Sequence, residues 1–209
     1  MNEDFSPMLR PVEIAHLRPT QMTVGLREVE RKRVEWRKRA DRDGPDFLGS
    51  HMIPAILGPK SVPYVIDHHH LVRALHDEGV THVLVSVIAD LSHLKKSQFW
   101  TFMDNRNWLH PFDETGSRQS YDRLPKKISA MNDDPYRSLA GEVRRAGGYA
   151  KDATPYSEFL WADFLRRRID ERQVVRHFER AVVKAVALST SHQATYLPGW
   201  CGPSNDPER

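Results

Sequence analysis

The sequence predicts an α+β protein in which a small sheet-containing domain is followed by a helical C-terminal region. Short apolar or β-branched segments alternate with helical segments over residues 12–90. From residue 124 onward, strand patterns fade and apolar residues recur at helical spacings. The length of 209 residues allows one sizeable core, or a compact domain with a second helical part. We therefore predict an α/β domain over residues 1–92, a helical region packed on it over 93–190, and an irregular tail over 191–209.

The first part of the domain reads as a strand, a turn and a polar helix. Val12-Glu13-Ile14 predicts a short strand, and Leu17-Arg18-Pro19-Thr20 predicts the turn that follows it. A helix is expected over residues 26–42, because pairs such as Glu28 and Lys32 place an acid four residues before a base. Asp43-Gly44-Pro45 is expected to end this helix.

The second part of the domain alternates strands with a helix. Residues 62–66 predict a strand, and residues 71–78 predict a helix that Gly79 terminates. The run Val83-Leu84-Val85-Ser86-Val87-Ile88 is β-branched, continuous and bounded by polar residues, as a buried strand should be. A helix between two such strands is typical of a small α/β or α+β domain.

The remaining chain is predicted to be helical. Helices are expected over residues 95–105, 126–131, 136–146, 157–169 and 174–189. In the last of these, Val174, Phe178, Val182 and Val186 recur every four residues. This spacing predicts a single core-facing helix.

The composition is typical of a soluble globular protein, with 39% hydrophobic and 28% charged residues. No membrane partner is expected, because no segment approaches the run of about 18 apolar residues that a membrane span needs. The net charge is +3, but Lys and Arg are mixed with Asp and Glu along the chain, so nucleic-acid binding is only weakly indicated. The single Cys201 excludes an internal disulfide and a thiolate-rich zinc site. A cytoplasmic location is expected, since the N-terminal residues lack the pattern of a signal peptide.

The segment Asp67-His68-His69-His70 lies where a predicted strand gives way to a predicted helix. The first turn of a helix has unpaired backbone N–H groups and a positive dipole end, so phosphates bind there. Histidines at the same place can donate hydrogen bonds to phosphate oxygens or carry protons near pH 7. Asp67 can cap the helix, orient a histidine or hold Mg²⁺. The pattern therefore predicts a phosphate-binding site whose ligands include His68, His69 and His70.

Two other interpretations of the three histidines stay open. A transition-metal site is one, although helical ligand pairs favour spacings of three or four rather than adjacent positions. Its completion would need His51, His76 or His82 from elsewhere in the fold. The other is structural, with Asp67 capping the helix and one histidine filling a gap in the core.

The order of these features resembles the ParB/sulfiredoxin superfamily. Leu17-Arg18-Pro19-Thr20-Gln21, a polar helix, a strand, the Asp67–His70 segment, a helix and a strand follow one another as they do there. The sequence as a whole resembles the bacterial ParB-like nucleases, through the segments Trp108–Pro111, Asp134–Gly141, Gly147–Lys151 and Phe159–Phe164. The resemblance implies a small mixed-sheet domain followed by a family-specific helical region.

The resemblance also implies that the phosphates of a nucleotide lie on the loop and helix start at Asp67–His70. Sulfiredoxins use this site with ATP, partition ParB proteins with CTP, and archaeal free serine kinases with ADP. The kinase box reads Asp-Gly-His-His-Arg, whereas here His68 replaces the glycine and Leu71 replaces the arginine. The loss of the arginine removes a bidentate phosphate clamp. His69 stands where sulfiredoxins have their cysteine, so reduction of a sulfinic acid is not expected.

Further phosphate ligands and catalytic groups follow from the same resemblance. Arg18 and Arg73 are expected to contact phosphate, although Arg73 lies two residues after the position of the missing arginine. The catalytic carboxylate of the serine kinases falls near Gln21, which cannot act as a base. Glu28 is the predicted replacement because it begins the polar helix, and an ion pair with Lys32 would explain it equally well. Catalytic roles are thus predicted for Glu28, His69 and Asp67, with Asp67 also as a ligand of Mg²⁺.

Three functions fit these features. The first is an enzyme that binds an ATP- or ADP-type nucleotide with Mg²⁺, or another phosphorylated small molecule, and catalyses phosphoryl transfer or phosphate hydrolysis. The second is a nuclease that cleaves phosphodiesters, as the resemblance implies. The third is a non-catalytic, nucleotide-regulated DNA-binding or partition-type protein, although no helix-turn-helix is predicted after residue 90.

Overall fold

The computed structural model of the chain describes residues 8–203, which form two compact units. The first unit comprises residues 8–24 and 28–133, and the second comprises residues 25–27 and 134–203. The boundary between the units falls after Asp133. The sequence predicts it after residue 92. The reason for the difference is that the aromatic residues after position 95 pack against residues of the sheet. The predicted packing of a helical region on the sheet domain stays a prediction.

The first unit is built on a five-stranded mixed sheet, with a separate pair of short strands. The strands are β1 (Met8–Glu13), β2 (Arg18–Pro19), β3 (Thr23–Val24), β4 (Ile53–Gly58), β5 (Val62–Val65), β6 (His82–Asp90) and β7 (Asn132–Asp133). The sheet order is β1-β6-β4-β5-β2, in which β1 and β6 pair antiparallel, as do β4 and β5. The pairs β6/β4, β5/β2 and β3/β7 are parallel. The mixed-sheet α+β fold predicted from the sequence is confirmed.

The helices of this unit are α1 (Leu26–Ser50), α2 (His69–Asp77) and α3 (Lys96–Asn105). Helix α1 continues through its predicted end at residues 43–45. Phe47 explains the extension, because its ring is buried and meets Trp36 edge-on at 5.4 Å between centroids. Burial of this ring outweighs the weak helix propensity of the preceding residues.

The two faces of strand β5 contribute to different cores. Val65 belongs to the core that contains Leu71, Val72 and Leu75 of α2. Its neighbour Tyr64 points to the opposite face, because side chains alternate along a strand. There the Tyr64 ring lies 4.9 Å from the Phe99 ring of α3. Helices α2 and α3 therefore cover opposite faces of the sheet at this strand.

The second unit contains α4 (Pro135–Arg145), α5 (Ser157–Arg166), α6 (Glu171–Arg176) and α7 (Phe178–Ser189). The single helix predicted over residues 174–189 is thus two helices, interrupted at His177, whose φ of −136° and ψ of 52° are not helical. Val174 and Phe178 are nevertheless both buried on either side of the break. The four-residue spacing survives the interruption, so the pattern could not show it.

Two smaller predictions also need correction. The helix predicted over residues 126–131 is only a 3₁₀ turn at Ile128–Ala130, because the chain then leaves to form β7. The tail predicted to be irregular contains a 3₁₀ turn at His192–Ala194, and the Trp161 indole donates to the Pro198 carbonyl at 2.9 Å. Residues 204–209 of that tail lie outside the described residues. None of the helices within residues 8–203 has the length and apolar character that a membrane crossing requires.

Candidate functional site

Residues 66–70, here called the histidine loop, connect the end of β5 to the start of α2. The Ile66 N–H donates to the Pro54 carbonyl at 3.0 Å, which fixes the chain just beyond the strand. The His68 N–H donates to Oδ1 of Asp67 at 2.6 Å. His68 caps α2 with a φ of 64°, in the left-handed region. The serine-kinase box has a glycine at this position, and glycine tolerates a left-handed backbone without strain. Here His68 occupies that position and adds an imidazole to the turn.

His69 is buried, with 5% of its surface exposed, and is joined to Thr20. The Thr20 N–H donates to Nε2 of His69 at 3.2 Å, and the Thr20 hydroxyl donates to the Val65 carbonyl at 2.7 Å. A ring nitrogen that accepts a hydrogen bond from a backbone N–H carries no proton of its own, so this contact requires Nε2 to be the unprotonated nitrogen. The geometry gives His69 a positioning role that ties the residues after β2 to the start of α2. Its predicted catalytic role stays a prediction.

The imidazole of His68 lies at the exposed side of the histidine loop. Its pKa is lowered from the usual value, first because surrounding protein disfavours the charged ring, and further because Lys32 and His51 are nearby. The Asp67 carboxylate acts in the opposite direction. A lowered pKa keeps the ring neutral near pH 7, so it can accept a proton or a hydrogen bond.

The residues that follow in α2 have different surroundings. His70 is half-buried at the second position of the helix, and Leu71 is buried in the core beneath it. The place of the kinase arginine is therefore occupied by a core residue. Arg73 contacts Asp77 through Nε at 3.0 Å and the Met131 carbonyl through Nη1 at 3.0 Å. These contacts tie Arg73 to its own helix and to the residue preceding β7.

Glu28 is buried near the start of α1, where its Oε2 accepts a hydrogen bond from Arg31 at 3.1 Å. Lys32 lies one helical turn further along, and residues four apart share a helix face. The positive charge of Lys32 contributes to the lowered pKa of His68, so Lys32 lies within electrostatic range of the histidine loop. The carboxylate and the lysine thus remain candidates for one site.

Arg18 is not directed toward the histidines. Its position in β2 is in register with Tyr64, on the face of the sheet opposite Val65. There the side chain lines a cavity together with Tyr64 and Trp100 of α3, here called the aromatic cavity. Its predicted role as a phosphate ligand stays a prediction, with different neighbours from those expected.

A metal site formed by protein side chains alone is not found within residues 8–203, where no group of three or more His, Cys, Asp or Glu could hold an ion. Mg²⁺ is commonly held by one or two carboxylates together with the phosphates of a substrate. Asp67 fits that kind of binding as the carboxylate of the histidine loop.

Several residues at this site could not be assigned from the sequence. Thr20 closes the link to His69, and the His110 N–H donates to the Thr20 carbonyl at 2.8 Å. Lys32 and His51, which are distant from His68 in sequence, both lower the pKa of its imidazole. The only available signal was the resemblance, whose Leu-Arg-Pro-Thr and Trp-Leu-His-Pro segments contain Thr20 and His110.

Comparison with known proteins gives a family and a similar solved structure. The family described as "Putative ParB-like nuclease" matches residues 10–167, which include the whole histidine loop. Protein Atu1540 from Agrobacterium tumefaciens, known from a crystal structure, is 52% identical, with a TM-score of 0.88. The match covers 94% of this chain and 99% of that one. No curated protein matches.

Proposed function

This chain belongs to the ParB-like nuclease family, and we propose that it binds the phosphate of a nucleotide or other phosphorylated small molecule at the histidine loop and transfers or hydrolyses it. The observation that supports this most is the left-handed His68 at the start of α2, with a lowered imidazole pKa and with Lys32 nearby. A cation, a neutral imidazole and a helix start are together suited to a phosphate ester.

Each component has a physical role in phosphate binding. The positive end of the α2 dipole and the N–H groups of its first turn attract an anion. Lys32 adds a full positive charge, and the link between His69 and Thr20 holds the turn rigid before a ligand arrives. Rigid positioning and neutralisation of charge are most of what phosphoryl transfer needs.

The proton acceptor in this proposal is His68, whose neutral ring can take a proton from water or from an acceptor hydroxyl. Glu28 is the second candidate base, since it lies one helical turn before Lys32 on α1. Asp67 would be a protein ligand for Mg²⁺, and the ion when bound would neutralise phosphate charge.

The second candidate function is cleavage of phosphodiesters, which the description of the family favours. The same groups would then act on a nucleic-acid backbone instead of a nucleotide. Phosphodiester cleavage also uses a positioned base and charge neutralisation, so the two functions differ mainly in the substrate.

A thermal-shift screen of ATP, ADP, CTP and GTP with Mg²⁺ tests the first function. A ligand present at a hundredfold excess over its Kd should stabilise the protein by about 2.7 kcal/mol. His68→Asn should reduce the shift, because it removes the imidazole and asparagine tolerates the left-handed backbone. His76→Asn, at the other end of α2, is the matched control and should leave the shift unchanged.

The alternatives have distinct outcomes in the same preparations. Absence of any nucleotide shift, together with plasmid cleavage that His68→Asn abolishes, would reject the first function in favour of the nuclease. Salt-dependent DNA binding without turnover, equal in wild type and His68→Asn, would instead indicate a non-catalytic DNA-binding protein.

A further inference from the structure

The aromatic cavity has a volume of about 300 Å³ and lies on the face of the sheet that α3 covers. This volume is at the lower end of the range found for small-molecule sites. Its lining comes from β2, β5, α3 and the segment at residues 121–126, all in the first unit. The histidine loop lies at the start of α2, on the other side of β5.

One wall of the cavity is aromatic. The Tyr64 and Trp100 rings are 5.3 Å apart and nearly perpendicular, at 83°. Trp100 and Tyr121 are 5.8 Å apart at an interplanar angle of 24°, close to stacked. Faces of this kind bind planar rings, and nucleobases stack on them irrespective of sequence.

The charged groups of the cavity are mostly positive. Arg18, Lys96 and Lys126 line it together with a single carboxylate, Asp122. Asp122 pairs with Lys96 at 3.4 Å, and both side chains are exposed. The excess of two positive charges matches a phosphate monoester, which carries about −1.5 to −2 near pH 7.

Two buried donors belong to residues that line this cavity. Nη1 of Arg18 and Nε1 of Trp100 are inaccessible to solvent and have no hydrogen-bond acceptor among residues 8–203. Trp100 as a whole is only 7% exposed. Buried donors without acceptors are rare in folded proteins. Because both residues line this cavity, a ligand that enters it and displaces the covering side chains could supply the missing acceptors.

We propose that the aromatic cavity binds a nucleoside monophosphate, either as a free molecule or as the 5′ end of a nucleic-acid strand. The base lies against Tyr121, the more exposed of the two stacked rings, and the phosphate lies between Arg18 and the two lysines. This site is distinct from the histidine loop and does not depend on the function proposed there.

Isothermal titration calorimetry with 5′-AMP and 5′-CMP tests this site, with adenosine and ribose 5-phosphate as fragments. Both nucleotides should bind more tightly than either fragment. Arg18→Gln should weaken binding about tenfold, because it removes the central charge-assisted donor. Trp100→Phe keeps an aromatic ring but loses the indole N–H, and should weaken binding about fivefold. Lys127→Gln removes the same charge beside the cavity and should leave binding unchanged.

The source of the ligand is tested with a trinucleotide that carries or lacks a 5′-phosphate. Tighter binding of the phosphorylated strand than of 5′-AMP would identify a strand end, and the reverse would identify a free nucleotide. Equal affinity for wild type, Arg18→Gln and Trp100→Phe would overturn the proposal, as would the absence of binding by either nucleotide and either strand. His68→Asn should leave nucleotide binding at the aromatic cavity intact. If only that variant lost its affinity for the nucleotides, the ligand would lie at the histidine loop, and the proposal would also be overturned.

Discussion

Replacing His69 with alanine should destabilise the first unit strongly, because the imidazole is both a core side chain and a hydrogen-bond acceptor. Its Nε2 accepts from the N–H of Thr20, a residue only 2% exposed. Leaving that N–H without a partner costs about 1–3 kcal/mol. The volume that the ring vacates adds a cavity cost, which for large-to-small core changes is about 2–5 kcal/mol. We expect a total loss of about 3–5 kcal/mol, taking the lower part of the cavity range because the ring is polar.

The matched variant is His69→Gln, whose amide oxygen can reach the position of Nε2. It should lose only about 1–2 kcal/mol, since both the acceptor and most of the volume remain. Urea denaturation followed by circular dichroism and by tryptophan fluorescence measures both variants, and the two probes report whether the units unfold together. A loss below about 1 kcal/mol for alanine, or equal losses for the two variants, would refute the positioning role.

The same pair separates positioning from catalysis. If His69 only positions the histidine loop, His69→Gln should keep the nucleotide-dependent thermal shift of the wild type. A folded His69→Gln protein that loses this shift would instead assign His69 to direct contact with the ligand.

Three other positions give further expectations. Because the pKa of His68 is lowered, its contribution to stability is present above about pH 6.5 and is lost as the pH falls. Denaturant melts at low and neutral pH should show a loss of unfolding free energy that His68→Asn lacks, and equal losses would contradict this. Hydrogen bonds from Arg37 and Arg33 lower the pKa of Glu78 to about 2, so its contribution is present above the usual pKa of 4.5 and is lost as the pH falls toward 2. Glu78→Gln should remove this acid sensitivity. It should cost less than about 1 kcal/mol near pH 7, since Arg37 is half exposed, and an unchanged dependence of stability on acid pH would disprove the role of Glu78. Gly199 has a φ of 74°, and a Cβ at this position would meet the Ala150 carbonyl. Gly199→Ala should therefore lower the free energy of unfolding by more than about 1 kcal/mol, and an unchanged Tm would contradict this.

The sheet and the histidine loop could be predicted because their signals are local. The β-branched run at 83–88 predicts a strand without reference to distant residues. Around Asp67 the spacing of apolar residues changes from that of a strand to that of a helix, and this predicts a strand-to-helix turn. The left-handed backbone at His68 could be anticipated only through the glycine at that place in the kinase box. The extension of α1 was missed because it depends on Phe47 meeting Trp36 in the core.

The environment of the candidate site was less predictable, because it depends on contacts between distant segments. The acceptor role of His69 requires Thr20, 49 residues earlier, and the pKa of His68 depends on Lys32 in another helix. The resemblance alone places Arg18 among the predicted phosphate ligands, and it gives no information on the face of the sheet that carries this side chain. As part of strand β2, in register with Tyr64, it lies on the opposite face of the sheet.

The most direct test of phosphate binding at the histidine loop is an NMR titration of the histidine ring protons, assigned with His68→Asn. Without ligand, the pKa of His68 should lie below about 6.5. With saturating ADP and Mg²⁺, or with inorganic phosphate, it should rise, because a nearby anion stabilises the charged ring. An unchanged pKa and unchanged His68 resonances with ATP, ADP and inorganic phosphate would contradict phosphate binding at this loop.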